Sequence, residues 1–221
     1  MPRRGFSRYL SAPGSEGQTQ PGSRGRVLRN KLGITHKKEM DRLEFASLLQ
    51  AQSAWLEQIT ADTRFTAELL CMMHRDWLGA LYDWAGHYRT VELEKGGFRW
   101  PPAYRVAENM ATFEKGLLAA STPCRPASLA HVARQIAEVH ADLLLIHPFR
   151  DGNGRIARWL ADVMALQAGY PLPRYGFTGR GASINRRRYL EAVRRGYLVD
   201  YAALIDFFTD AIERRLREIR E

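Results

Sequence analysis

The sequence predicts an all-α domain carrying one short β-hairpin. Apolar residues recur at helical spacing from Lys37 almost to the end of the chain. A single stretch, HYRTVELEKGGFRWPPAYR at 87–105, breaks that period and carries the Gly96-Gly97 pair of a tight turn. No internal repeat is present, so the helices build one core rather than a stacked array.

The elements follow in order. Residues 1–36 are rich in Gly, Ser, Pro, Gln and Arg and read as a flexible basic arm, open to ordering by packing on the domain. The domain proper spans 37–221. Its first helix, KKEMDRLEFASLLQAQSAWLEQI, places Met40, Leu43, Leu48, Leu49, Trp55 and Leu56 on a recurring face. Thr66 is a candidate cap for a second helix running to Gly86. In the hairpin, Thr90, Val91 and Leu93 favour strand, and Pro101-Pro102 end it. Five more helices are predicted at about 103–119, 127–146, 155–168, 183–196 and 199–219, the third of these five stopped by Gly169 and Pro171.

Composition narrows the classes. The chain has 221 residues, 45% hydrophobic and 26% charged, which is ordinary for a globular domain. No apolar run reaches membrane-spanning length, and the N-terminus lacks the apolar region of a secretory signal. Two cysteines without a CxxC argue against a disulfide framework and a cysteine zinc site, and fit a reducing cytoplasm. The net charge of +9 admits phosphate-bearing ligands. Much of it lies in INRRRYLEAVRRG and IERRLREIRE, which read as solvated helix faces, so nucleic acid is not the expected partner.

The stretch IHPFRDGNGRIARW at 146–159 concentrates chemistry that a helix-to-helix turn does not need. His147 is the first residue past a long apolar helix, a stiff mount for a site. Pro148 biases His147 toward an extended backbone, and Phe149 is expected to point into the core. Gly152-Asn153-Gly154 permits left-handed angles, so successive N–H groups can converge as a nest. A helix starting near Arg155 adds its unpaired N–H groups and positive dipole end. Arg155 and Arg158 share a face, three residues apart. Together these make a phosphate cradle. A carboxylate beside it, Asp151, implies a bridging Mg²⁺ or Mn²⁺. His147 at the edge is placed to act as general base. The pattern is not a Walker P-loop. The other histidines, at 36, 74, 87, 131 and 140, have no metal-ligand spacing and read as structural or surface residues.

HPFRDGNGRIAR resembles the signature of the Fic family, HxFx[DE]GNGRxxR, at every fixed position. The likeness extends to the hairpin with its flanking WAG and RT residues and to the closing helices, over about 40–215. Among Fic proteins it is similar to the bacterial group called mobile mystery protein B.

The resemblance implies a protein adenylyltransferase that moves AMP from ATP to a Ser, Thr or Tyr hydroxyl, releasing pyrophosphate. It implies that His147 takes the hydroxyl proton and that Asp151 holds the Mg²⁺ bridging the α- and β-phosphates. Asn153 would cradle those phosphates with the Gly152 and Gly154 backbone. Arg155 would face the β-phosphate and Arg158 the γ-phosphate. The hairpin, about 94–101, would be a flap that clamps a target protein by strand addition, with Lys95 and Gly96 beside the nucleotide. Asn185 and Tyr189 would border the adenine, although packing explains them equally well. The alternatives are another Fic-type transfer (UMP, phosphate, phosphocholine or AMP removal) and a basic helical binding protein without catalysis.

Fic enzymes are commonly restrained by a Glu in an [ST]xxxE[GN] helix that pairs with the second signature arginine. Here [ST]xxxE ends at Glu39, Glu57, Glu94 and Glu213, never followed by Gly or Asn. Glu57 and Glu213 are the imperfect helical candidates. The expectation is therefore a separate small antitoxin supplying the inhibitory Glu.

Overall fold

The computed structural model describes residues 15–220 and has seven main helices among them. They are α1 (Lys37–Leu56), α2 (Ala67–Leu78), α3 (Val106–Phe113, continued through a π-turn at Glu114–Leu118 to Ala119–Ser121), α4 (Leu129–Ile146), α5 (Asn153–Gln167), α6 (Ala182–Gly196) and α7 (Ala202–Arg220). A single antiparallel pair, β1 (Glu94–Lys95) and β2 (Phe98–Arg99), completes the all-α-plus-hairpin architecture the sequence predicts. The chain divides into two units. Among the described residues the first holds 15–58, 67–111 and 146–153, and the second 59–66, 112–145 and 154–220.

In the first unit, α1 packs on α2 along a face that keeps Met40 and Trp55 of the predicted apolar set but not Leu49 or Leu56. Its buried residues are Met40, Glu44, Ala51 and Trp55, while Leu49 and Leu56 are exposed. Glu44 is inside because its groups are satisfied there. Its carbonyl accepts the Trp77 indole N–H at 2.8 Å, and its carboxylate accepts the Tyr82 hydroxyl at 2.6 Å. Hydrogen bonding to α2 and the chain after it overrides the periodicity.

The second helix stops at Leu78, eight residues short of the predicted Gly86. Residues 79–93 instead run as irregular chain with Leu81, Tyr82, Trp84, Val91 and Leu93 buried. The ladder is correspondingly short. Glu94 pairs with Arg99 and Lys95 with Phe98 across Gly96-Gly97, whose φ values of 58° and 78° are those a primed turn requires. Part of the segment expected as an arm is built onto this unit. Thr19 bridges Leu28, and Val27 and the Glu16 side chain are buried. Residues 1–14 of that arm lie outside the described residues.

The second unit buries Val132, Ile136, Val139 and Leu143 of α4 with Ile156, Leu160 and Met164 of α5, closed by α6 and α7. Close packing of α6 needs Gly196, where an added Cβ would sit 2.9 Å from the Ala141 methyl.

Candidate active site

The loop 147–153 belongs to the first unit, and buried groups hold it through its backbone. The expected extended conformation of His147 is not observed; its φ is +53°. A left-handed backbone at a non-glycine residue costs about 1–3 kcal/mol and survives only where its surroundings over-determine it. Arg89, 2% exposed, does so here. Its Nε donates to the His147 carbonyl at 2.7 Å and its backbone N–H to the Pro148 carbonyl at 2.8 Å. Its Nη1 reaches the Val91 carbonyl at 2.9 Å and its Nη2 the Pro101 carbonyl at 2.6 Å, so one guanidinium ties both ends of the hairpin segment to the 147–153 loop. Burial lowers the Arg89 pKa, opposed by Glu92 and Glu16. Carbonyl capture by a delocalised cation satisfies it without a carboxylate in contact.

The flap reaches His147 through Trp100, whose ring lies 4.0 Å from the imidazole, centroid to centroid. Lys95 and Gly96 are exposed at the hairpin tip.

A second prop comes from α2. The His74 Nδ1 accepts the Gly86 N–H at 2.8 Å, which leaves Nε2–H to donate to the Asp151 carbonyl at 3.1 Å. The His74 ring stacks on Phe149 at 3.9 Å. Phe149 is fully buried, as expected. Gly152, at φ +84°, passes over the same floor. A Cβ there would lie 2.7 Å from the Trp77 ring and 3.2 Å from His74 Nε2. The Gly152 N–H donates to Asp151 Oδ1 at 2.6 Å, which fixes the carboxylate beside the turn.

The Asn153 side chain is engaged within the loop. Its side chain is 97% buried by exposure (3% accessible) and bonds Phe149 twice, accepting the Phe149 N–H at 2.8 Å and donating to its carbonyl at 2.7 Å. The amide closes the loop; what Asn153 can offer an anion is backbone. The helix starts at Asn153, two residues before the predicted Arg155, because this side-chain clasp organises its first turn.

In the second unit, Gly154 leads into the face of α5 that carries Arg155 and Arg158. The Arg158 guanidinium carbon lies 5.6 Å from the Phe177 ring centroid and 5.8 Å from that of Tyr189. Its Nη1 is 3.5 Å from the Tyr189 hydroxyl. Among the described residues no carboxylate forms an ion pair with Arg158; Glu213 pairs with Arg217 at 3.5 Å, and Glu57 is exposed just past the end of α1.

One turn beyond, burial pushes the Asp162 carboxyl up to about 7, against the Tyr175 hydroxyl that donates to it at 2.6 Å and the Arg158 charge. The two residues expected at the adenine part company. Tyr189 is buried with its hydroxyl 2.9 Å from His140 Nε2. Asn185 donates to the Gly176 carbonyl at 2.9 Å and lines a cleft of about 340 Å³ with Arg188, Asp206 and Arg214.

The donor set fits an ion held by one carboxylate and completed by phosphate oxygens. Among the described residues no group of three or more His, Cys, Asp or Glu forms a metal cage. Asp151, fixed at the mouth of a helix N-terminus, is the one acid of the loop, which is how Mg²⁺ is usually taken at phosphate sites.

Residues 64–165, which include this loop, match the Fic/DOC family. The chain is 30% identical over 202 residues to a probable protein adenylyltransferase Fic of Salmonella typhimurium, covering 84% of this chain and 88% of the relative. The chain belongs to the Fic/DOC family. Other Fic relatives are longer. It is 28% identical over 144 residues to the protein adenylyltransferase VbhT of Bartonella schoenbuchensis, 65% of this chain but 30% of that protein's length. Its fold is similar to the crystal structure of the BepC protein of Bartonella tribocorum with bound AMPPNP, with a TM-score of 0.70 at 20% identity, covering 89% and 96% of the two chains.

Arg89, His74 and His140 are the residues a motif reading of this Fic-family chain passes over. A lone buried His or Arg carries no spacing signal, and only RT in the hairpin flank pointed toward Arg89.

Proposed function

We propose that this chain is a protein adenylyltransferase that moves AMP from ATP to a Ser, Thr or Tyr hydroxyl of a target protein. The observation that carries the reading is the complete His147–Arg158 signature folded as a strained, internally clasped loop that feeds a helix N-terminus. His147 removes the proton from the acceptor hydroxyl as its oxygen forms a bond to the α-phosphorus and pyrophosphate leaves. Trp100 against the imidazole limits its rotation, and Arg89 fixes its main chain. The N–H groups at the start of α5 receive phosphate oxygens, and Arg155 and Arg158 take the outer phosphates. Asp151 would hold Mg²⁺, which would supply neutralisation of the polyphosphate charge.

The flap edge, where Glu94 pairs with Arg99 and Lys95 with Phe98, would offer main-chain groups to an extended target segment. A separate antitoxin would supply a carboxylate to Arg158, which forms no direct ion pair among the described residues and has only the buried Asp162 near it. The two thiols, Cys71 and Cys124, are free, and burial pushes Cys124 up to about 11, which suits a reducing cytoplasm.

The test is incubation of the purified chain with cell lysate and ATP labelled at the α- or the γ-phosphate. Protein label from the α-position alone is expected. Label from the γ-position alone would replace AMP transfer by phosphate transfer. No label from either, together with salt-sensitive retention on DNA, would mark a binding module. Asp151→Ala should lower α-label transfer and flatten its Mg²⁺ titration; an unchanged titration would remove Asp151 from the metal role.

A further inference from the structure

Behind Arg158, within the second unit, lies a hydrogen-bond relay. The Ala157 carbonyl can only accept, so His140 donates to it from Nδ1 at 3.1 Å. His140 Nε2 is then a bare lone pair, and the Tyr189 hydroxyl donates its one proton there at 2.9 Å. The Tyr189 oxygen is thereby left with lone pairs toward Arg158 Nη1 at 3.5 Å. The relay starts at the guanidinium and closes on the residue just before it on the same helix. Two rings, Phe177 and Tyr189, face the guanidinium at 5.6 and 5.8 Å.

We propose that Tyr189, oriented by His140, is a positioning residue that holds Arg158 with neutral groups and so tunes the site to the terminal phosphate of a nucleoside triphosphate. An arginine fixed by a carboxylate is largely neutralised before a ligand arrives. An arginine fixed by rings and a hydroxyl oxygen keeps both its geometry and its charge. Burial pushes the His140 pKa down to about 3, so the imidazole stays an acceptor at working pH. A protonated His140 would turn Nε2–H onto the Tyr189 oxygen and aim the tyrosine proton at Arg158, donor against donor. The remaining acid near Arg158, Asp162, is occupied by the Tyr175 hydroxyl and buried.

This rests on the nucleotide-transfer reading, and the experiment separates the two. Calorimetry of the full chain with ATP and with AMP, in Mg²⁺, gives the readout. For Tyr189→Phe, which keeps the ring, ATP affinity is expected to fall ~3–10-fold, as for one ordinary hydrogen bond, with AMP affinity unchanged. In an Arg158→Ala background the same change is expected to have no further effect. His140→Gln, which restores an acceptor near the Nε2 position, is expected to hold ATP better than His140→Leu. If the His140 variants fail to fold by circular dichroism, the tyrosine cycle still decides. Equal loss for ATP and AMP, or additive losses with Arg158→Ala, would overturn the positioning role. A wild-type chain that binds ATP no better than buffer overturns the nucleotide reading itself and the proposal with it.

Discussion

The loop 147–153 and the arginine face of α5 are adjacent in sequence but secured in opposite ways. The loop is gripped through its main chain. Arg89 holds the His147 and Pro148 carbonyls, His74 the Asp151 carbonyl, and Asn153 both backbone groups of Phe149. Arg158 is gripped through its side chain, by two rings and a hydroxyl oxygen. The difference suits the role proposed for each. A base must present a ring nitrogen, so its position is best fixed through backbone that takes no part in the chemistry. A phosphate-binding cation must keep its charge, so it is best fixed by neutral contacts.

The largest expected effect comes from removing the chemistry while leaving the grip. His147→Ala should lower transfer by ~10²–10⁴, the usual worth of a general base, with ATP affinity nearly unchanged. The alanine inherits the left-handed backbone, so a thermal melt should show only a modest shift. Near-normal label transfer by this variant would sink the assigned mechanism.

Attacking the grip itself should have a different signature. In Gly152→Ala the methyl meets the Trp77 ring at 2.7 Å on a backbone at φ +84°. Left-handed strain of about 1–2 kcal/mol adds to overpacking of about 1–3 kcal/mol. Denaturant unfolding should read a loss of about 2–5 kcal/mol, and transfer should fall with it. A fully stable Gly152→Ala chain would show that the floor of Trp77 and His74 does not constrain the loop.

On the arginine side the effect is smaller and depends on pH. Burial raises Asp162 from 3.8 to about 7, so between those values the folded chain binds more protons than the unfolded one. Its contribution is fully present below about pH 3.8 and is lost as pH rises through 7. Asp162→Asn should therefore gain melting temperature relative to wild type at pH 8 compared with pH 5. His140, depressed from 6.5 to about 3, acts in the opposite direction, losing stability as pH falls through that window. The wild-type profile sums both, and only the difference between variant and wild type isolates Asp162.

The smallest expected effect tests whether either internal glutamate restrains Arg158. Glu57→Gly and Glu213→Gly, singly in the isolated chain, should each change auto-modification less than about two-fold, within the range of surface substitutions. A many-fold rise in either would place the inhibitor inside the chain and remove the need for an antitoxin.

Much of the site was legible because it is local. His147, Asp151, the two glycines and the paired arginines lie within twelve consecutive residues, and helix and turn chemistry dictate what such a run can form. Tyr189 and Asn185, expected together at the adenine, make different contacts. Four residues apart on α6, they share a helical face by spacing, yet one donates inward to His140 and the other to the Gly176 loop. Periodicity states which positions neighbour each other on a helix and leaves open what stands opposite them.

The sequence by itself determined the seven helices, the Gly-Gly hairpin and the run proposed to bind phosphate, since each depends on residues a few positions apart. The tertiary structure decided the rest. It ended α2 at Leu78, buried Glu44 in place of Leu49, turned His147 into the left-handed region and made Asn153 a clasp. It also gave work to residues with no motif. Arg89 meets His147 from 58 positions away, His74 meets Asp151 from 77, and Tyr189 meets His140 from 49. A buried polar group must find a partner wherever the chain can bring one, and that choice is made by packing across the fold rather than by neighbours in the sequence.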